Sequence, residues 1–313
     1  MFSKAAQPLP EAFNAVATAD SGPALALAAQ FFGRTDDSCC HVRLSSEPIA
    51  WSLKMTEVKS YKPGTFCWAD LATTNPTAAK RFYSELFGWK TQDNPLPGGG
   101  AYTLARINGG DIAGLMGMAE KGIPPHWNSY VAVANVDEAT NQATSLGGKI
   151  LAPPMDVMDL GRMAVIQDPS GAELSLWQAK KHIGAGRVGE HGALVWNELQ
   201  TRNVDACGAF YTKLFGWKTE TRKGVFVETY TLFNQGAEPR AGMMPMSKQT
   251  PANVPSHWTV YFMVNDCDAT AKKVGSLGGK AVMPPTDIPD VGRFSMFFDP
   301  EGAFFAVLQP AQR

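Results

Sequence analysis

The sequence predicts an α+β fold of two tandem domains, each assembled from two βαβββ modules. Three observations predict it. A capped, one-sided helix occurs twice, as Asn75-Pro-Thr-Ala-Ala-Lys-Arg-Phe-Tyr-Ser-Glu-Leu-Phe-Gly-Trp89 and as Asn203-Val-Asp-Ala-Cys-Gly-Ala-Phe-Tyr-Thr-Lys-Leu-Phe-Gly-Trp217. A His-Trp pair opens an alternating strand at His126 and again at His257, and an Asp-Pro-x-Gly turn recurs at Asp168 and Asp299. The spacing is nearly constant: Phe210 follows Phe82 by 128 positions, while His257 and Asp299 follow His126 and Asp168 by 131. This is an internal repeat whose copies differ by three residues in the middle.

The elements follow in order. Residues 1–60 carry scattered Pro, Ala and Ser with no sustained period, and read as a poorly ordered extension. Glu11 and Asp20 precede its only apolar patch, which does not suit a signal peptide. Met55 is an alternative start, because the chain runs from it straight into the first strand. Residues 61–178 form the first domain. Thr65 to Leu71 alternates as a strand. The helix after it begins at an Asn N-cap with Pro76 at the first helical position and ends at Gly88, where a left-handed residue is wanted. Tyr102–Ile107 and Ile112–Met118 form a hairpin across Asn108-Gly109. The module then restarts: a strand from His126, a helix over 136–146, a short strand from Lys149 that ends at Pro153-Pro154, and a last hairpin turning at Asp168-Pro-Ser-Gly171. Residues 179–190 read as a polar, Gly-rich linker, and 191–313 repeat the whole pattern as the second domain.

Composition narrows the function classes. The chain has 313 residues, net charge −1 and 44% hydrophobic residues, enough for two globular domains. No basic run suggests nucleic acid or a membrane surface, and no apolar stretch approaches the roughly 18 residues of a membrane helix. Five cysteines without a C-x-x-C pair argue for a reducing cytoplasm.

Phe-Tyr-x-x-Leu-Phe-Gly-Trp after a strand, with Asp-Pro-x-Gly before the last one, resembles the vicinal oxygen chelate superfamily. That group includes glyoxalase I, bleomycin-resistance proteins and extradiol dioxygenases. The Trp of the first strand and the His-Trp of the middle strand are similar to two-domain glyoxylase-like and antibiotic-pathway proteins of actinobacteria. The resemblance implies that paired modules curl into an open, barrel-like sheet around a cavity. It also implies four metal-ligand positions per domain. Here these fall on Trp68, Asn128, Ser175 and a position near Gly114, then on Trp196, Thr259, Ala306 and near Gly242. Zinc, iron and nickel want imidazole, carboxylate or thiolate donors. None of these positions supplies one, so no metal and no other cofactor is expected.

Period-two alternation identifies the other cavity-facing residues. If Trp68 points inward, so do Phe66 and Asp70. His126 and Tyr130 join Asn128, and Glu173 and Trp177 join Ser175. In the second domain the set is Trp196, Glu198, His257, Tyr261, Phe304 and Leu308. Asp70 and Glu198 are the candidate bases, because a carboxylate among apolar neighbours has a raised pKa. The bland alternative is a carboxylate capping backbone N–H groups. Trp68, His126, Tyr130, Glu173, Trp196, His257 and Tyr261 are candidate ligand contacts. The indoles could equally fill the barrel, and the histidines could simply hold a backbone carbonyl. A relocated metal site from Asp70, His126 and Glu173 would have a single imidazole. Two functions follow: a glyoxalase-like lyase or isomerase acting on a carbonyl or polyketide-like compound without the usual metal, or a non-catalytic protein that sequesters a flat apolar molecule.

Overall fold

The computed structural model describes residues 56–97, 99–118, 123–248 and 250–311. Residues 1–55 of the expected extension, and with them the alternative start at Met55, lie outside them; its last five residues do not stay loose, because Thr56 and Glu57 pair with Val188 and Arg187. After β1 (Thr56–Glu57), the first half runs β2 (Phe66–Thr73), α1 (Pro76–Phe87), β3 (Lys90–Pro95), β4 (Ala101–Ile107), β5 (Gly110–Gly117), β6 (His126–Ala132), α2 (Val136–Ser145), β7 (Lys149–Val157), β8 (Gly161–Gln167) and β9 (Glu173–Ala179). After β10 (Arg187–Val188), the second half repeats it as β11 (Leu194–Thr201), α3 (Val204–Phe215), β12 (Lys218–Lys223), β13 (Thr229–Gln235), β14 (Glu238–Pro245), β15 (His257–Met263), α4 (Cys267–Ser276), β16 (Lys280–Ile288), β17 (Gly292–Phe298) and β18 (Phe304–Pro310).

Each half is one eight-stranded sheet that does not close into a barrel. The orders are β3-β4-β5-β2-β6-β9-β8-β7 and β12-β13-β14-β11-β15-β18-β17-β16. Two βαβββ modules meet back to back where β2 pairs antiparallel with β6, and β11 with β15. The helices form as their caps dictate. Asn75 Oδ1 accepts from the Ala78 N–H at 3.1 Å, and Asn203 Oδ1 from the Ala206 N–H at 3.0 Å. Gly88 and Gly216 close them at φ 77° and 68°. Asn108 and Gly109 both take positive φ, as a tight hairpin turn requires.

Two expectations need correction. The strands from Lys149 and Lys280 do not stop at their proline pairs but run on to Val157 and Ile288. Both are edge strands, where a residue without an N–H leaves no ladder bond unmade, and the register shifts to pass the prolines. Phe66 does not share a face with Trp68 and Asp70. A register shift between Phe66 and Trp68 turns the Phe66 ring to the opposite side, 5.1 Å from Trp258 and 6.1 Å from Trp217. The twin strand has the same shift between Leu194 and Trp196.

The largest cores lie between the halves. The helix-bearing faces of the two sheets pack on each other crosswise. Phe82, Tyr83, Leu86 and Phe87 of α1 pack with Val260, Phe262, Val274 and Phe305 of the second half. Phe210, Tyr211 and Leu214 of α3 pack with Val136, Ile166 and Leu174 of the first. Each such side chain contributes about 1.5–3 kcal/mol when removed from water. The polar bonds of the seam are reciprocal. Tyr83 O–H donates to Asp299 at 3.0 Å and Tyr211 O–H to Asp168 at 3.0 Å. Trp127 and Trp258 donate to those same phenols, at 3.0 and 2.9 Å. Trp89 N–H reaches the Gly192 carbonyl and Trp217 N–H the Gly64 carbonyl. The seam thus holds the two sheets by their helix-bearing faces and leaves the two opposite faces, here called cups, away from the seam. Among the described residues, no helix is long and apolar enough to cross a membrane.

Candidate functional site

Each cup centres on one buried carboxylate. In the first, Asp70 is 2% exposed and accepts three hydrogen bonds. Asn128 Nδ2 donates to Oδ1 at 3.0 Å; Tyr130 and Tyr102 O–H donate to Oδ2 at 2.8 and 3.1 Å. Trp68 N–H donates in turn to the Tyr102 hydroxyl at 2.8 Å. In the second, Glu198 is 6% exposed and accepts two. Tyr261 O–H reaches Oε1 and Tyr230 O–H reaches Oε2, both at 2.8 Å. Trp196 N–H donates to the Tyr230 hydroxyl at 3.2 Å. Strand register explains the convergence: Asp70 lies opposite Asn128 and Gly114, and Glu198 opposite Thr259 and Gly242. The two glycines admit the phenols. A Cβ on Gly114 would stand 2.0 Å from the Tyr102 hydroxyl, and one on Gly242 1.8 Å from that of Tyr230.

Burial pushes both carboxyl groups above the ordinary carboxylate range. Three donors oppose it at Asp70, and the two tyrosines oppose it at Glu198. Burial also raises Tyr102, Tyr130, Tyr230 and Tyr261 well above their usual values, so these phenols stay protonated and act as donors. Glu173 is half-buried and raised by burial. Phe304 takes its place in the second cup, its ring 6.0 Å from His257. His126 and His257 each set Nδ1 against a proline carbonyl, Pro124 at 2.9 Å and Pro255 at 3.0 Å. Because a carbonyl only accepts, that contact places a proton on Nδ1 of each ring. Burial lowers the His257 pKa, which favours the neutral ring.

The cups differ in what covers and completes them. The first is closed on its Trp68 side by the segment between the halves. The His182 ring stands edge-on to Trp68 at 4.7 Å and its carbonyl accepts from Trp177 N–H at 2.9 Å. Ala185 N–H bonds the Cys67 carbonyl, and β10 pairs with β1. In the second cup, Trp196 and Tyr261 lie among Leu232, Met246, Val254, Met283, Phe294 and Leu308. Five buried side-chain atoms there have no hydrogen-bond partner among the described residues: both ends of the Gln200 amide, Thr259 Oγ1, Thr250 Oγ1 and His257 Nε2. An unpaired buried group of this kind costs about 1–3 kcal/mol.

The candidate site residues of the sequence fall in two clusters, one per half. Trp68, Asp70, His126, Tyr130 and Glu173 share the first cup; Trp196, Glu198, His257 and Tyr261 share the second. Sequence reasoning missed Tyr102, Tyr230 and Gln200. The first two had a usable signal: a tyrosine two positions along the strand from the residue paired with a glycine, Tyr102 beside the Leu104–Gly114 pair and Tyr230 beside the Leu232–Gly242 pair, at the same place in both copies. The donors at the positions that the resemblance assigns to a metal are two indoles, an amide, two hydroxyls, two glycines and an alanine. This set does not fit a transition-metal ion. Among the described residues, no three His, Cys, Asp or Glu groups come together as a metal-holding set. A groove of about 270 Å³ on the seam, between Leu146, Pro169, Ala209 and Lys213, carries no acid or imidazole and lies away from both carboxylates.

Paired βαβββ modules, repeated in two halves, define the fold class of glyoxalases and extradiol dioxygenases. The chain belongs to the Glyoxalase/Bleomycin resistance protein/Dioxygenase superfamily, whose profile matches residues 65–176 and 193–307. It is similar to CFP32 of Mycobacterium tuberculosis, a protein with a provisional glyoxylase name: 44% identical over 263 residues, covering 82% of this chain and 99% of that one. It is also similar to the anthracycline biosynthesis protein DauV of Streptomyces sp. strain C5, at 34% identity over 80% of this chain and 94% of that one. Among solved structures, the Mn(II)-bound glyoxalase of Novosphingobium aromaticivorans shares the fold with a TM-score of 0.56 at 15% identity, covering 80% of this chain and 84% of that one. The 2,2',3-trihydroxybiphenyl 1,2-dioxygenase of Sphingomonas wittichii shares it with a TM-score of 0.58 at 10% identity, covering 80% and 92%.

Proposed function

We propose that this protein is a glyoxalase-like lyase or isomerase that takes a small carbonyl compound in its second cup and moves a proton through Glu198, without a metal. One observation carries the reading: Glu198 is a buried carboxylate of raised pKa, held from both sides by phenols that keep their own protons. Each of its oxygens accepts only one hydrogen bond and retains a lone pair. A base of this kind is matched to removing a proton from the carbon next to a carbonyl. Tyr230 and Tyr261 fix its orientation, while Trp196 and Phe304 supply apolar area for a flat molecule. The names of CFP32 and DauV agree with a carbonyl or polyketide-like compound.

The first cup favours the second reading, binding without turnover. All three donors there are spent on Asp70, and the segment around His182 covers Trp68. In that cup the carboxylate sets shape.

Deuterium uptake from solvent at the carbon next to the carbonyl of α-tetralone, followed by NMR, tests the proposal. Glu198→Gln should slow exchange by about 10²-fold or more while ligand affinity stays within a factor of about two. Unchanged exchange removes Glu198 from the mechanism. Exchange that a chelator abolishes and Mn(II) or Zn(II) restores overturns the metal-free part.

A further inference from the structure

The five unpartnered polar atoms all lie in the second half, and four of them lie on the cup side of two paired strands. Gln200 stands two positions beyond Glu198 on β11 and is therefore on the same face. Its register partner is His257; that of Glu198 is Thr259. Gln200 and Thr259 are each 1% exposed. Among the described residues, no buried side-chain atom of the first cup lacks a partner in this way. Ala72 stands where Gln200 does, and Asn128, in the place of Thr259, is spent on Asp70.

The three-residue difference between the copies completes the second cup. Met118 and His126 are eight positions apart, Met246 and His257 eleven. Arg202 pins the longer loop by donating to the carbonyls of Pro251 at 2.6 Å, Val254 at 3.1 Å and Thr250 at 3.4 Å. This seats Val254 in the cup core and buries Thr250 with its hydroxyl unpaired.

We infer that Gln200, Thr259 and His257 form a polar subsite for the edge of a neutral, planar ring compound that sets a carbonyl beside an N–H or O–H group. The reasoning is one of complementarity. A primary amide presents a donor and an acceptor side by side, so its full partner presents an acceptor and a donor in the same order. His257 Nε2 adds an acceptor, and Thr259 can serve either way. The Glu198 carboxylate on the same face disfavours an anionic ligand. Trp196 and Phe304 suit a flat one. Phe226, 45% exposed on the β12–β13 loop and 5.7 Å from Phe294, marks the rim by which such a ring would enter.

This inference rests on the second cup being the ligand face, and the test separates the two claims. The full chain is titrated calorimetrically with three probes: naphthalene, the cyclic lactam isocarbostyril, and N-methylisocarbostyril, which lacks the donor. The expected result is one lactam site per chain, with isocarbostyril at least tenfold tighter than its N-methyl form. Gln200→Met, of similar volume, should abolish that difference and leave naphthalene binding unchanged. Thr259→Val should reduce it in part, which guards against misfolding of a single variant. Equal affinity of the two lactams, a difference that survives Gln200→Met, or two equal sites per chain overturns the subsite while leaving the cup intact. Failure of all three probes to bind overturns the cup as the ligand face as well.

Discussion

The two cups start from one plan and end in different chemistry. Both tie an indole to a phenol and the phenol to a carboxylate, in register across the same strands. In the first, aspartate meets a third donor, Asn128, and the covering His182 ring. In the second, glutamate reaches the same two phenols with a longer arm, threonine replaces asparagine, and a glutamine stands beside it with its amide unpaired. The comparison teaches that a buried carboxylate is not a functional signal by itself. What separates a structural group from a chemical one is whether the surrounding donors are used up.

Three measurements would break or sharpen this contrast. The largest effect is expected from Asp70→Ala, which takes the acceptor from two buried phenol hydroxyls and the Asn128 amide. Loss of their acceptor should cost about 3 kcal/mol or more in urea unfolding. A cost below about 1 kcal/mol would break the assignment of the first carboxylate as structural. The second is a pH dependence. Folding raises the carboxyl pKa values of Asp70, Glu198 and the seam residue Asp299, so the folded chain holds those protons more tightly. Their stabilising contribution is complete below the unfolded value near pH 4 and is lost as pH rises toward the folded values. The part of the stability that these three groups supply should thus fall from about pH 4 upward, against the opposite trend of the ion-paired Asp93, Asp137, Asp156, Asp159, Glu190 and Asp268, and Glu198→Gln should remove part of that fall. A slope unchanged in Glu198→Gln would mean that Glu198 titrates normally. The smallest effect is expected from removing the indole donors. Trp68→Phe and Trp196→Phe should each cost about 1 kcal/mol for the lost bond, plus some packing. Near-UV circular dichroism and melting temperature check this. Trp68→Phe should cost more, because the indole also packs on His182.

Much of the fold was legible because its signals are local. An Asn N-cap, a left-handed Gly at a helix end and an Asn-Gly turn each act within a few residues, and the repeat showed each of the helix signals twice. The candidate carboxylates were legible for a related reason, since alternation along a strand is fixed by the pleat. What was hidden depends on contacts between distant segments. Nothing near Phe66 announces the register shift that turns its ring to the seam. The prolines at 153–154 and 284–285 end a strand only if it is central, and edge position is a property of the whole sheet. Tyr102 reaches Asp70 across two strands through space that Gly114 leaves open. The unpaired state of Gln200 depends on every neighbour at once.

The crossed Tyr83–Asp299 and Tyr211–Asp168 bonds carry a further consequence. Each copy's helix is completed by the other copy's turn, so the two helix-bearing faces depend on each other. A substitution at either phenol or either turn therefore strands a polar group in the other copy, a constraint that the residues of the two cups do not carry.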